Sequence, residues 1–196
     1  MSLSADSHSD AELAKRIIQG DDDALRLLYE RSVNPAFSFI ARLAPPSIDP
    51  QDIVQEAFIK AWQYIKRYDE NYPFRTWIFT IARNVLRDQI RKKSSTVFTD
   101  IDIEDGPAFE ESIVDDRSAE PAIEIDRALD QRILDEALQK LSLSQKEVVL
   151  MHAIEQFTFQ EIADIVKEPM NTVKTRYRRA LQKLRTILEP DKSRLL

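Results

Sequence analysis

Residues 157–185 read FTFQEIADIVKEPMNTVKTRYRRALQKLR, and this stretch decides the fold. Two runs of helical periodicity flank a short break. Ile162, Ala163, Ile165 and Val166 form the inward side of a helix expected over Gln160–Val166. Lys167, Glu168, Pro169 and Met170 interrupt it, and a longer helix starts at about Asn171. There Val173, Tyr177, Ala180, Leu181, Leu184, Ile187 and Leu188 share one face. Residues 171–185 carry six cationic side chains and no acid. A helix that enters a major groove needs polar side chains near its N-terminus for base edges and cations beside them for phosphates. Asn171, Thr172, Thr175 and Arg176 suit the first task; Lys174, Arg178 and Arg179 suit the second, which positions without specifying. A solvated basic face on an ordinary amphipathic helix would need no short helix and turn in front of it. The pair points to a helix-turn-helix.

Working back from that motif, the rest of the chain is also helical. Two glycines against nine prolines leave few residues for the positive-φ turns of β-hairpins. A first helix is expected from about Asp10 to Gly20, and a second begins behind Asp21, Asp22 and Asp23 and runs to about Leu43, where Pro45 and Pro46 close it. A third follows Asp49 and Pro50, with Ile53, Val54, Ala57, Phe58, Ala61, Trp62 and Ile65 as its apolar stripe. The fourth runs from Phe74 to about Lys93. Phe74, Trp77, Ile78, Ile81, Ala82, Val85, Leu86 and Ile90 point inward, and Arg75, Arg83, Arg87, Arg91, Lys92 and Lys93 outward. Trp62 and Trp77 fall on apolar stripes and are expected to pack in the core.

The net charge of −6 looks wrong for a nucleic-acid binder, but it is an average. Ser94 to Asp130 holds twelve carboxylates against Arg117 and Arg127, a local balance of −10 that leaves +4 for everything else. Fields act over about 10 Å in salt, so the local sign governs binding. The expected architecture is all-α: a four-helix unit over 10–93, an acidic flexible linker over 94–129, and a unit of about four helices over 130–188.

Composition also excludes chemistry. No cysteine occurs, and His8 and His152 are the only imidazoles, so thiolate zinc sites, disulfides and histidine-driven catalysis drop out. No cofactor, metal or catalytic residue is expected. There is no apolar run of about 18 residues, and Met1–Asp10 lacks a basic-then-apolar leader, so a cytoplasmic protein is expected.

Three separated segments carry a family resemblance. Asp49–Trp62, DPQDIVQEAFIKAW, resembles the polymerase-binding segment of extracytoplasmic-function (ECF) sigma factors. Phe74–Asn84, FRTWIFTIARN, resembles the start of their minus-ten-element helix, while Leu138–Leu150 and Thr172–Arg176 resemble their C-terminal domain. The resemblance implies that 10–93 is sigma region 2 and 130–188 is region 4, reading the minus-thirty-five element. Core RNA polymerase, promoter DNA and an anti-sigma factor are the implied partners. The third helix would dock on the polymerase clamp through Asp52, Gln55, Glu56, Ile59, Lys60 and Gln63, which lie off its apolar stripe. Promoter opening requires trapping an unstacked base. The loop Lys66–Pro73, KRYDENYP, would supply Tyr68, Asn71 and Tyr72 for that pocket, while Arg75, Arg83, Asn84, Arg87 and Arg91 hold the non-template strand. The acidic linker has two readings, a solubilising spacer or a strand that threads the polymerase channel. Family members usually have glycine where Lys167 stands, and a left-handed lysine there would cost about 1 kcal/mol.

Two other functions fit parts of the chain. A helix-turn-helix regulator that is no polymerase subunit explains 130–188 but leaves 49–93 without a task. A magnesium-dependent phosphodiesterase would use the acidic cluster, but those carboxylates have no periodic scaffold.

Overall fold

The computed structural model describes residues 8–96 and 130–188, and every regular element among them is helical. The N-terminal unit comprises α1 (Asp10–Ile18), α2 (Asp22–Leu43), α3 (Pro50–Gln63), a 3-10 turn (Ile65–Arg67) and α4 (Phe74–Thr96). In the C-terminal unit, α5 (Asp130–Gln139), α6 (Leu143–Val149), a π-turn (Leu150–Ile154), α7 (Phe159–Val166) and α8 (Met170–Leu188) follow. Helix α4 runs three residues into the expected linker; 97–129 lies outside the described residues.

Helix starts follow from short polar side chains that take up orphan N–H groups. Ser9 and Glu12 form a reciprocal capping box on α1, as Ser142 and Gln145 do on α6 and Thr158 and Glu161 on α7. Asp21 accepts from the Ala24 amide at 3.0 Å and also takes the Arg16 Nε at 2.8 Å, fastening the α1–α2 corner. Gly20 turns that corner at φ +88°, a conformation that suits glycine. Asp49 caps α3 at the Gln51 amide, with Pro50 in the first turn, where its missing N–H costs nothing. Pro35 lies inside α2, where it removes one ladder hydrogen bond, and the sequence reading did not account for it.

The N-terminal core is rich in aromatics. Phe74 sits at its centre with Trp62 stacked at 6.2 Å and Tyr68 and Trp77 edge-on at 5.5 Å. Both tryptophans pack against the core as expected, though each keeps some exposure. In the C-terminal unit, Leu138, Val148, Leu150, Met151, Ile162, Ile165, Val173, Ala180 and Leu184 are buried. Lys167 does end α7 in the left-handed region, at φ 62° and ψ 42°.

The π-turn was not legible in the sequence. Glu155 donates its amide to the Leu150 carbonyl at 3.0 Å and Phe157 to that of Met151 at 2.9 Å, while Gln156 takes φ 58°. The wider loop swings Phe157 outward onto α4, where its ring meets Phe79 edge to face at 4.9 Å. The two units therefore pack on each other, α4 against α7 and α2 against α6.

Candidate nucleic-acid interface

Helix α8 presents its expected cations as an ordered set. Asn171, Lys174, Arg178 and Arg179 are exposed, and Thr172 and Thr175 are half-exposed on the same side. The helix is held against α7 by an aromatic stack in which the His152 ring lies 4.2 Å from Phe159 and 4.8 Å from Tyr177. One side chain departs from the expected array. Arg176 is turned back to the turn and forms a two-pronged ion pair with Glu168, at 3.1 and 2.7 Å. The side chains suited to base edges are thus Asn171, Thr172 and Thr175, with Arg176 restrained.

In the N-terminal unit the loop residues divide into wall and tip. Tyr68 donates its hydroxyl to the Tyr72 carbonyl at 2.7 Å and packs its ring on Phe74 and Trp77. Burial, and then the nearby Asp10, Glu70 and Asp69, push its phenol above the ordinary tyrosine value. It is a fixed wall of the loop. Asn71 is held by Asp69, which accepts from both its backbone and side-chain nitrogens. Tyr72 alone of the three expected base-pocket residues offers an open ring, at 48% exposure. Tyr64, not singled out from sequence, is equally open at 46%, with the Arg67 guanidinium 5.0 Å above its ring. Asn84 is exposed in a shallow groove lined by Lys60, Tyr64, Ile81, Val85 and Asp88. Arg91 is exposed and pairs with Asp88 at 2.9 Å.

The remaining expected strand-binding arginines point elsewhere. Arg83 donates through Nε to Glu147 at 3.1 Å, and Arg87 donates to both oxygens of the same carboxylate at 2.9 Å. Arg75 pairs with Glu155 at 2.6 Å and lies 4.4 Å over the Phe157 ring. All three acceptor and ring positions belong to the C-terminal unit. Glu147 and Glu155 were missed in the sequence, although Glu147 stands out there as the acid preceding Val148, Val149, Leu150 and Met151.

On α3 the off-stripe residues face outward as expected. Asp52, Gln55, Ile59 and Gln63 are exposed, Ile59 at 56%. Glu56 pairs with Lys60 at 2.7 Å and takes the Gln89 amide at 3.4 Å. Lys60 above all holds the Glu56 carboxyl below its ordinary value; burial opposes this, and Gln89 and Lys92 add to the lowering. The face is mixed: charged and amide side chains around one open isoleucine. Among the described residues no cluster of metal-ligating side chains occurs; the acidic run at 100–116 lies outside them.

This geometry has counterparts. Residues 28–96 match the model for Sigma-70 region 2, and residues 131–184 match that for Sigma-70, region 4. The chain is 30% identical over 177 residues to the ECF RNA polymerase sigma factor SigW of Bacillus subtilis, across 87% of this chain and 92% of SigW. It is 28% identical to the ECF RNA polymerase sigma-E factor of Escherichia coli K12, across 93% of this chain and 95% of that one. Among solved structures, the sigma factor RpoE of Bartonella quintana, in complex with the anti-sigma factor NepR, superposes with a TM-score of 0.66 at 26% identity. That match covers 86% of this chain and 98% of RpoE. With both regions matched in their own order and the likeness running nearly end to end, this chain belongs to the sigma-70 family, in its ECF branch of promoter-specific transcription initiation factors.

Proposed function

We propose that α3 binds core RNA polymerase through Asp52, Gln55, Glu56, Ile59, Lys60 and Gln63, and that the two basic helices divide the promoter between them. On this reading α8 enters the major groove at the minus-thirty-five element, with Asn171, Thr172 and Thr175 on base edges and Lys174, Arg178 and Arg179 on phosphates. The loop before α4 takes the minus-ten element: Tyr72 stacks on an unstacked base, Asn71 and Tyr68 shape the pocket, and Asn84 and Arg91 hold the strand. Arg75, Arg83 and Arg87 join them once the C-terminal unit moves off α4. The protein acts in the cytoplasm and by binding alone, with no reaction step of its own. An anti-sigma factor fits as a further partner, as NepR does for RpoE of Bartonella quintana.

The observation that carries this reading is the pairing of two cationic helices, α4 and α8, with a separate mixed face on α3 in one chain. A helix-turn-helix regulator would have no use for α3. The test is transcription from a linear promoter library with core polymerase and the purified chain. Defined start sites that vanish without the chain are expected. DNA binding with no dependence of initiation on the chain would favour the regulator instead.

A further inference from the structure

We infer that Tyr64 is a second base-stacking platform: the groove between α3 and α4 takes an unstacked nucleobase of the opened promoter, one that carries an exocyclic amino group. The inference rests on the functional reading above and adds a site to it. Tyr64 is 46% exposed at the C-terminal cap of α3, two residues before the loop that carries Tyr72. Its ring borders a groove also lined by Lys60, Ile81, Asn84, Val85 and Asp88. Val85 is buried and Ile81 half-buried, which gives the groove an apolar floor. An aromatic wall over an apolar floor suits the face of a base, and any base has such a face.

The polar groups around that floor match a base edge. The Asn84 side chain is exposed and has no hydrogen-bond partner among the described residues, so its amide is free to donate and to accept. Asp88 accepts from Arg91 and has carboxylate oxygens to spare for an amino group. Adenine, cytosine and guanine have an amino group to donate there, and thymine has none. Charge favours a nucleic acid strand as well. Lys66 and Arg67 are exposed and form no ion pair among the described residues, and the Arg67 guanidinium lies 5.0 Å from the Tyr64 ring centre. Cations for the phosphates thus stand beside the ring, as in sites that bind single strands. A polymerase helix fits less well, because Tyr64 lies about 140° round the α3 axis from Ile59, the open apolar residue of the docking face.

The test uses core polymerase, the full-length chain and a promoter already unpaired over the minus-ten element. The fluorescent base 2-aminopurine, which stacking quenches, is placed at each unpaired position in turn. One position is expected to be quenched with the parent chain and with Tyr64→Phe, and to brighten with Tyr64→Ala. Tyr72→Ala should brighten a different position. Tyr64→Ala should weaken binding of the unpaired promoter about tenfold, with affinity for core polymerase in the absence of DNA at the parental level. Tyr64→Leu, which keeps apolar bulk without a ring, carries the same comparison should Tyr64→Ala not fold. If no position responds to loss of the Tyr64 ring, the platform is overturned. Loss of core affinity without DNA also overturns it and assigns Tyr64 to the polymerase. Failure of the parent chain to direct initiation from the fully paired promoter overturns the functional reading instead. The isolated chain with a single-stranded 2-aminopurine oligonucleotide then decides the platform, which stands if quenching depends on Tyr64 and falls if it does not.

Discussion

Glu168, in the turn before α8, holds Arg176 from below: Nη2 lies 2.7 Å from one carboxylate oxygen and Nη1 3.1 Å from the other. The pair spans eight residues and joins the turn to the second turn of the recognition helix. Both side chains are mostly covered, so the arginine is not available to DNA while the pair stands.

Replacing Glu168 by Ala should therefore release a cation at the groove. Affinity for a duplex should rise, and the slope of log affinity against log salt should steepen by about 0.9, the value for one added phosphate contact. Stability should fall by about 1 kcal/mol or less, as for a partly exposed pair. Fluorescence anisotropy across a salt series measures the slope. An unchanged slope means that Arg176 does not reach phosphate even when freed.

The same turn stores backbone strain in Lys167, which ends α7 at φ 62° without a glycine's freedom. Lys167→Gly relieves it, and the gain should be about 1 kcal/mol before the glycine's extra unfolded entropy is subtracted. The expected net result is a melting temperature higher by about 2 °C. A lower one would show that contacts of the lysine side chain outweigh its backbone strain.

The turn also shows what sequence reasoning reaches. Helix positions were legible because stop signals such as Pro45, Pro46 and Gly20, and caps such as Asp21 and Asp49, act within a few residues of themselves. The exposed rows of α3 and α8 followed from period alone. The π-turn and the fate of Arg75, Arg83 and Arg87 did not. The arginines depend on contacts made 60 to 80 residues away, as between Arg87 and Glu147 or Arg75 and Glu155. Periodicity can say that an arginine faces outward from its own helix; it does not say that a second unit covers that face.

Ile59 tests the α3 surface. At 56% exposure it stabilises little, so Ile59→Asp should change stability by no more than about 0.5 kcal/mol. If α3 docks on core polymerase as proposed, the same change buries a carboxylate in place of an apolar side chain, and affinity should drop at least about tenfold, as for an interface residue worth more than about 1 kcal/mol. Titration of core enzyme with labelled chain measures this, with DNA binding by the isolated chain as the control that should not move. Parental core affinity in the Asp variant would remove Ile59 from the interface.

Lys146 is a cation in the wrong place for stability, and pH exposes it. The residue is 5% exposed on α6, and burial pulls its ammonium below the ordinary lysine value, with Asp135 pulling weakly the other way. The unfolded chain therefore binds the proton more tightly than the folded one. Between the depressed folded value and the ordinary one near 10.4, the unfolded state carries more protons, so stability from this group rises with pH across that window. Below the window both states are protonated and the full desolvation cost is felt. Lys146→Met removes the charge and keeps the volume, and should stabilise the protein by about 1 kcal/mol at neutral pH. The advantage over the parent chain should shrink as pH climbs toward 10. Urea denaturation of both proteins at pH 7 and pH 10 gives the comparison, in which the charges common to both cancel. An advantage that is absent at pH 7, or that grows with pH, would mean that the ammonium is held by a favourable partner in the fold.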